Sequence, residues 1–277
     1  MRQKILLFLG VFALLGANLN SLFGADSSAF SRNTISLKVP KQDNFTSIKI
    51  PAMDLQVGDS GIISREINGN EFIIAEAQVA EITEGVAVVS VSEFSQMREK
   101  YLPKPKAQVA EGDKITFRIL YDKALLIAPN QSAYQGITDN FKNIDFLHSD
   151  IFATFLAKEG ENMPKIADFA KFCAKFDLGL VFVALQNRIE ILNCASFKIL
   201  DSKTLNLADL SVNLPFFTRI SNETIKEIFN EKKFEPYFAY FENLIKSQNP
   251  QDSSLQGEDS PNKSTDLTKS SAKSTTK

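Results

Sequence analysis

The sequence predicts an α+β protein: a β-rich small barrel or sandwich over residues 32–128, an α+β domain over 129–246, and a disordered C-terminal tail over 247–277. Three observations carry this. Between 35 and 128, apolar or alternating runs rich in Ile and Val are separated by Gly-Asp, Asn-Gly and Glu-Gly pairs, the pattern of consecutive short strands. After Pro129 the apolar spacing lengthens to that of helices, with strand-like runs between them. From Ser247 onward Ser, Thr, Lys, Asp, Asn and Pro dominate, and Leu255 and Leu267 are the only large apolar residues, so burial cannot offset the entropy of ordering.

Residues 1–25 read as a signal peptide. Arg2 and Lys4 form a positive leader, and the uncharged run 5–15 suits an export signal but falls short of the roughly 20 residues a helix needs to span a bilayer. Gly24 and Ala25 place cleavage near Ala25, although Leu22 and Phe23 stand where small residues are preferred; an uncleaved anchor is the alternative. No cysteine follows the run, which argues against a lipid anchor. No later apolar segment reaches spanning length, so the mature chain is expected to be exported, in the periplasm or at the cell surface, with no membrane span after signal cleavage.

In the β-rich part, runs at 62–67 and 72–75 flank Asn68-Gly69, two residues that accept the positive φ of a tight hairpin turn. Gly85 leads into a strand at 86–91. Gly112-Asp113 leads into 115–120, which is expected to turn at 121–123 and return through 124–128 as a hairpin. Between these, 92–101 reads as a short helix capped at Ser92 or Ser95 and stopped by Pro103. The segment LPKPK at 102–106 reads as a stiff connector within the domain, with a polyproline-type ligand as the lesser alternative.

In the second part, Asp150 is expected to cap a helix over 151–158 with Gly160 as its stop. A second helix starts near Pro164 and sets Ile166, Phe169, Ala170 and Cys173 on one apolar face. A buried strand at 178–185, a turn at Gln186-Asn187 and returning strands at 189–193 and 197–200 follow. Helices at 222–230 and 236–246 close the ordered region, the latter with Phe238, Phe241 and Ile245 inward. Cys173 and Cys194 are the only cysteines, and an export signal places them in an oxidising compartment, so a Cys173–Cys194 disulfide is expected. Closing a loop of about 20 residues stabilises by about 3 kcal/mol in the chain-entropy account. Two buried thiols are the alternative.

Composition narrows the function classes. With 31 Lys and Arg against 33 Asp and Glu, the chain lacks the electrostatic footprint of a nucleic-acid binder. One histidine and two bridged cysteines leave a zinc site without its usual ligands, so no metal is assigned. No phosphate-cradling glycine loop appears and no cofactor is assigned. His148, Ser149 and Asp150 are adjacent, and neighbours in one turn do not line up as nucleophile, base and orienter, so no catalytic residue is assigned and the chain is read as a non-enzyme. The 23 phenylalanines, with no tryptophan, serve core packing.

The last residue of the sequence, Lys277, presents an ammonium group and a free carboxylate separated by an apolar stem. A pocket with paired carboxylates, an aromatic trough and a cation reads all three features together. Lys263, Lys269 and Lys273 add internal lysines without the carboxylate, and the binding residues assigned are Lys277, Lys273 and Lys269. A flexible tail of this length reaches roughly 30 Å.

Several short stretches, in order, resemble one known family: PAMDLQVG at 51–58, LPKP at 102–105, GDKITFR at 112–118, LIAPN at 126–130 followed by Tyr134, and IDFLHSD at 144–150. The match continues with TFL at 154–156, Cys173, ILNCASFKIL at 191–200, PFFTR at 215–219 and YFAY at 237–240. Together they are similar to the N-terminal domain of the plasminogen-binding protein A family of bacterial surface proteins, over about residues 51–246. The resemblance implies an exported binding protein that captures host plasminogen, with a C-terminal lysine as the group read by its kringle modules, and of the family's features only Lys277 carries that role over. Longer members carry a Lys- and Glu-rich extension, whereas the tail here is short and Ser/Thr-rich. The alternative is a periplasmic structural or assembly module of the cell envelope or flagellar motor, whose folded domains dock onto an envelope protein.

Overall fold

The computed structural model describes residues 30, 32–94, 107–220 and 234–250. Six strands form the first sheet: β1 (Ile35–Lys38), β2 (Ser47–Pro51), β3 (Ser60–Ile67), β4 (Asn70–Thr83), β5 (Val86–Glu93) and β6 (Lys114–Phe117). They are antiparallel in the order β1-β6-β3-β4-β5-β2. Side chains alternate across the pleat, and Ile48 and Ile50 of one edge strand join Ile63, Val79, Val89, Ile115 and Phe117 in a single apolar cluster, with Ile35 and Leu37 of the other edge packed against it. A sheet whose two edges feed one core has to curl, and register shifts at Ile63/Ser64 and Val79/Glu81 supply the bends. The result is a half-barrel, the barrel side of the barrel-or-sandwich expectation, left open between β1 and β2.

Asn68 and Gly69 join β3 to β4 with φ of 53° and 77°, the two positive values of the expected hairpin turn. Glu84 and Gly85, at 51° and 78°, make the same turn between β4 and β5. The helix expected over 92–101 is corrected at its start, since Ser92 and Glu93 belong to β5 and pair with β4. Its remainder from Ser95 and the LPKPK connector lie outside the described residues, as do the signal peptide, the helix expected at 222–230 and residues 251–277.

The second sheet contains β7 (Lys123–Ile127), β8 (Asp145–Leu147), β9 (Leu180–Ala184), β10 (Arg188–Asn193) and β11 (Ile199–Thr204), in the order β11-β10-β9-β7-β8. β7 pairs parallel with β8 and β9, and the other pairings are antiparallel. The hairpin expected between 115–120 and 124–128 therefore does not form. β7 is buried on both faces, sending Leu125 and Ile127 to one core and Ala124 and Leu126 to the other, so it takes an interior place in a sheet covered by helices instead of an edge beside β6.

Helices α1 (Gln131–Asn140), α2 (Ser149–Glu159), α3 (Ile166–Phe176) and α4 (Tyr237–Gln248) complete this half. α1 packs through Ala133, Tyr134 and Ile137 on one face of the sheet, and α2, α3 and α4 pack through Phe152, Phe169, Phe172, Phe241 and Ile245 on the other. Gly160 ends α2 at φ 73° with its N–H on the carbonyls of Ala157 and Leu156, as predicted. The cap is shifted, however: His148 is the capping residue, its Nδ1 accepting the Asp150 N–H, and Asp150 lies in the first turn. On α3, Ile166, Phe169 and Cys173 pack into the core as expected, while Ala170 is half-buried and Phe172 takes the inward position. α4 runs to Gln248, past the tail boundary read at Ser247. Asn249 then binds back to the β10–β11 region, its amide donating to the Phe197 carbonyl and its Oδ1 accepting the Ile199 N–H.

Candidate functional site

The two sheets meet through polar groups, since none of the three apolar clusters among the described residues contains strands of both. At the centre lies Asp59, fully buried in the connection before β3. Arg118, 2 % exposed and directly after β6, donates from Nε and Nη2 to Asp59 Oδ2 at 3.0 and 2.8 Å. Its Nη1 donates to Asp54 Oδ2 at 2.9 Å, and Nη2 also reaches the Asp54 carbonyl. Arg118 adopts φ +65°, a conformation disfavoured for a residue with a Cβ and held here by its fixed side-chain partners.

Tyr121 carries the cluster to the second sheet. Its hydroxyl donates to Asp59 Oδ1 at 3.1 Å and accepts from the Ser60 N–H at 3.2 Å and from Asn193 Nδ2 at 3.2 Å. Burial and the Asp59 carboxylate push the phenol well above its ordinary pKa, so it remains protonated and able to donate. Asn193, the last residue of β10, also donates to Ser60 Oγ at 2.8 Å, while its Oδ1 accepts from the Ala195 and Ser196 amides and so fixes the turn that carries Cys194. Gln56 adds a bond to the Leu200 carbonyl at 2.7 Å. Nearby, Gly58 at φ +94° lies so close to Lys198 that a Cβ would sit 2.6 Å from the lysine Cβ.

Beside this cluster a cleft of about 530 Å³ opens between the outer face of the half-barrel and α3. Its lining includes Ile62, Ile73 and Leu120 and, from α3, Ala170, Cys173 and Ala174. The size and apolar lining suit a small molecule or a short peptide segment. Lys123 and Asp177 bring opposite charges into the same lining.

The structure joins Cys173 to Cys194, with Cα atoms 6.0 Å apart, tying α3 to the end of β10. Lys269, Lys273 and Lys277 lie outside the described residues. His148, Ser149 and Asp150 form no triad: Ser149 Oγ is buried and donates to the Phe217 carbonyl at 2.7 Å, while Asp150 accepts from the Thr218 hydroxyl and from the amide and guanidinium of Arg219. Among the described residues no three His, Cys, Asp or Glu converge as metal ligands, and no helix is long and apolar enough to cross a membrane. Sequence reasoning missed Asp59, Arg118, Tyr121 and Asn193. The bonds that bring them together span more than 50 residues of chain, and only the paired turn residues Gly58-Asp59 hinted at a constrained loop.

A curled antiparallel sheet latched through buried polar groups to a disulfide-stapled mixed sheet defines an α+β protein of two lobes. The chain belongs to the family described as plasminogen-binding protein pgbA N-terminal, which matches residues 34–245. It is 33 % identical over 205 residues to the plasminogen-binding protein PgbA of Helicobacter pylori strain 26695, and 32 % identical over 205 residues to that of strain J99. These alignments cover 73 % of this chain and 45 % of each relative, so the chain spans less than half the length of the curated relatives it matches. No solved structure matches it.

Proposed function

We propose that this chain is a non-enzymatic, exported binding protein that captures host plasminogen at the bacterial surface. Family membership across both lobes, with relatives named as plasminogen-binding proteins, is the observation that carries this reading. The ligand groups are lysines of segment 251–277: Lys277, where it carries a free carboxylate, is the principal kringle ligand, and Lys273 and Lys269 are auxiliary contacts. A kringle pocket recognises an ammonium group, an aliphatic stem and a carboxylate at once, so an internal lysine offers only part of the ligand. Plasminogen held this way becomes available to a host activator at the cell surface.

The test is plasminogen binding to immobilised purified protein, comparing the unsubstituted chain with Lys277→Ala, each with and without a free lysine analogue. Loss of binding on both substitution and competition is expected. Unchanged affinity in Lys277→Ala would sink the terminal-lysine mechanism.

A second reading is favoured by one observation: the family match ends at residue 245, before the lysine-bearing segment. On that reading the lobes dock onto an envelope protein, and cross-linking in intact cells recovers a stoichiometric partner. Surface protease that removes the protein from intact cells counts against it.

A further inference from the structure

Among the described residues the chain passes between the two lobes at two places, and these lie side by side. One is the stretch 32–35, where Arg32 Nη2 donates to the Leu200 carbonyl of the second sheet and Ile35 begins β1. The other is the connection from Phe117, the end of β6, to Lys123, the start of β7. Ile35 and Phe117 are partners in the β1–β6 ladder, so both crossings leave the half-barrel from one edge of two paired strands. Two adjacent crossings define one axis. Away from it, no apolar cluster among the described residues bridges the lobes, and the cleft separates the half-barrel from α3. Packed cores move as rigid units, whereas a polar interface between them is the usual place for relative motion.

We propose that the two lobes form a hinge about the 32–35 and 117–123 crossings, and that the Asp59–Arg118–Tyr121–Asn193 cluster is a latch that sets the width of the cleft. The latch spans both sides of the axis. Asp59 and Ser60 belong to the half-barrel, Arg118 and Tyr121 to the crossing itself, and Asn193 to the end of β10. Asn193 couples it further to the Cys194 turn through the Ala195 and Ser196 amides, and the disulfide carries that position to α3, the far wall of the cleft. Closing the latch thus sets both walls at once. Its bonds are directional and short-ranged, so a rotation of a few degrees breaks several together and leaves two arrangements instead of a continuum.

The full chain carrying Lys49→Cys on the half-barrel and Lys158→Cys on α2, both exposed and remote from the latch, accepts a spin label at each position. Pulsed electron–electron resonance is expected to give one narrow interlobe distance. Adding Tyr121→Phe with Asn193→Ala, which removes the Tyr121–Asp59, Tyr121–Asn193 and Asn193–Ser60 bonds of the latch, is expected to broaden or shift it while circular dichroism stays native. An unchanged narrow distance in the folded variant overturns the proposal. Amide hydrogen exchange on the unsubstituted chain tests the same point without substitution: the Ser60 and Arg118 amides at the seam should exchange at least about ten-fold faster than those of Leu126 and Ile191 in the core. Exchange of both sets only by global unfolding overturns the proposal, even where the latch variant fails to fold.

Discussion

His148 shows how one side chain can act as cap, packing surface and proton acceptor together. Its Nδ1 accepts the Asp150 N–H at 3.2 Å, and its ring lies 4.9 Å from Tyr134 and 6.2 Å from Phe217 between ring centres. Burial lowers its proton affinity below the ordinary 6.5; Asp150 opposes that shift, and the Arg219 guanidinium reinforces it. The folded histidine therefore takes its proton at lower pH than the unfolded one. Between the two values the unfolded chain holds more protons, so stability falls as pH drops below 6.5. The fall is gentler than the one-proton limit of about 1.4 kcal/mol per pH unit. Asp150 contributes only at lower pH: although burial raises its pKa, the Arg219 amide, the Thr218 hydroxyl and the Arg219 guanidinium together hold it below the usual 3.8, and the stability this supplies is lost as pH falls further. Urea unfolding at pH 7.5 and 5.5 checks the histidine effect. His148→Asn, which retains a capping side chain without a titrating group, should flatten the difference, and an equal slope in that variant would place the titration elsewhere.

At the scale of elements, legibility followed the strength of local signals. The β3–β4 hairpin was readable because Asn68-Gly69 is nearly specific for its turn, and β9 because 180–184 is uninterruptedly apolar. The stop at Gly160 was equally plain. α1 went unread because it buries only Ala133, Tyr134 and Ile137, a face too sparse to stand out, although Asn130 caps it by accepting the Ala133 N–H at 2.8 Å. β8 is three residues long and half-buried, too short to show a period. The disulfide belongs to this scale because it joins α3 to β10 across 21 residues of chain. Replacing both cysteines, Cys173→Ala with Cys194→Ala, should lower stability by about 3 kcal/mol, chiefly by freeing the unfolded chain. A matching drop in the urea midpoint of the unsubstituted protein under reductant would confirm the source, and a drop only in the variant would point to packing.

For the whole molecule, the decisive feature is a buried ion pair where two separately packed lobes meet. The Arg118 and Asp59 side chains are 1 % and 0 % exposed, so removing either leaves a desolvated charge without its main partner. Arg118→Met should therefore destabilise by about 3–5 kcal/mol. Truncating Lys114 opposite Glu71, both more than half exposed, strands no buried charge and should matter less. Equal effects in urea unfolding would mean that the seam is not the weak point of the assembly. The short loops and paired strands within each lobe are fixed by neighbours in the chain, but the relation between the lobes rests on contacts such as Gln56 with Leu200 and Ser60 with Asn193, more than 100 residues apart.

The sequence by itself determined the α+β class, a β-rich first part of barrel or sandwich type with its Asn-Gly turn, the burial of Phe169 and Cys173 on α3 and of Phe241 and Ile245 on α4, and the pairing of the two cysteines. Each follows from a period, a turn residue or a count that neighbouring positions display. Only the tertiary structure decided that β7 leaves β6 to become an interior strand of the second sheet, between β9 and β8, because an apolar strand of five residues reads the same whether it returns as a hairpin or is covered on both faces. It also decided that Ser92 stays in β5, where pairing with β4 outweighs a local capping signal. Above all, it brought Asp59, Arg118, Tyr121 and Asn193 together, four residues of ordinary type whose significance lies in burial and mutual geometry, which no local pattern encodes.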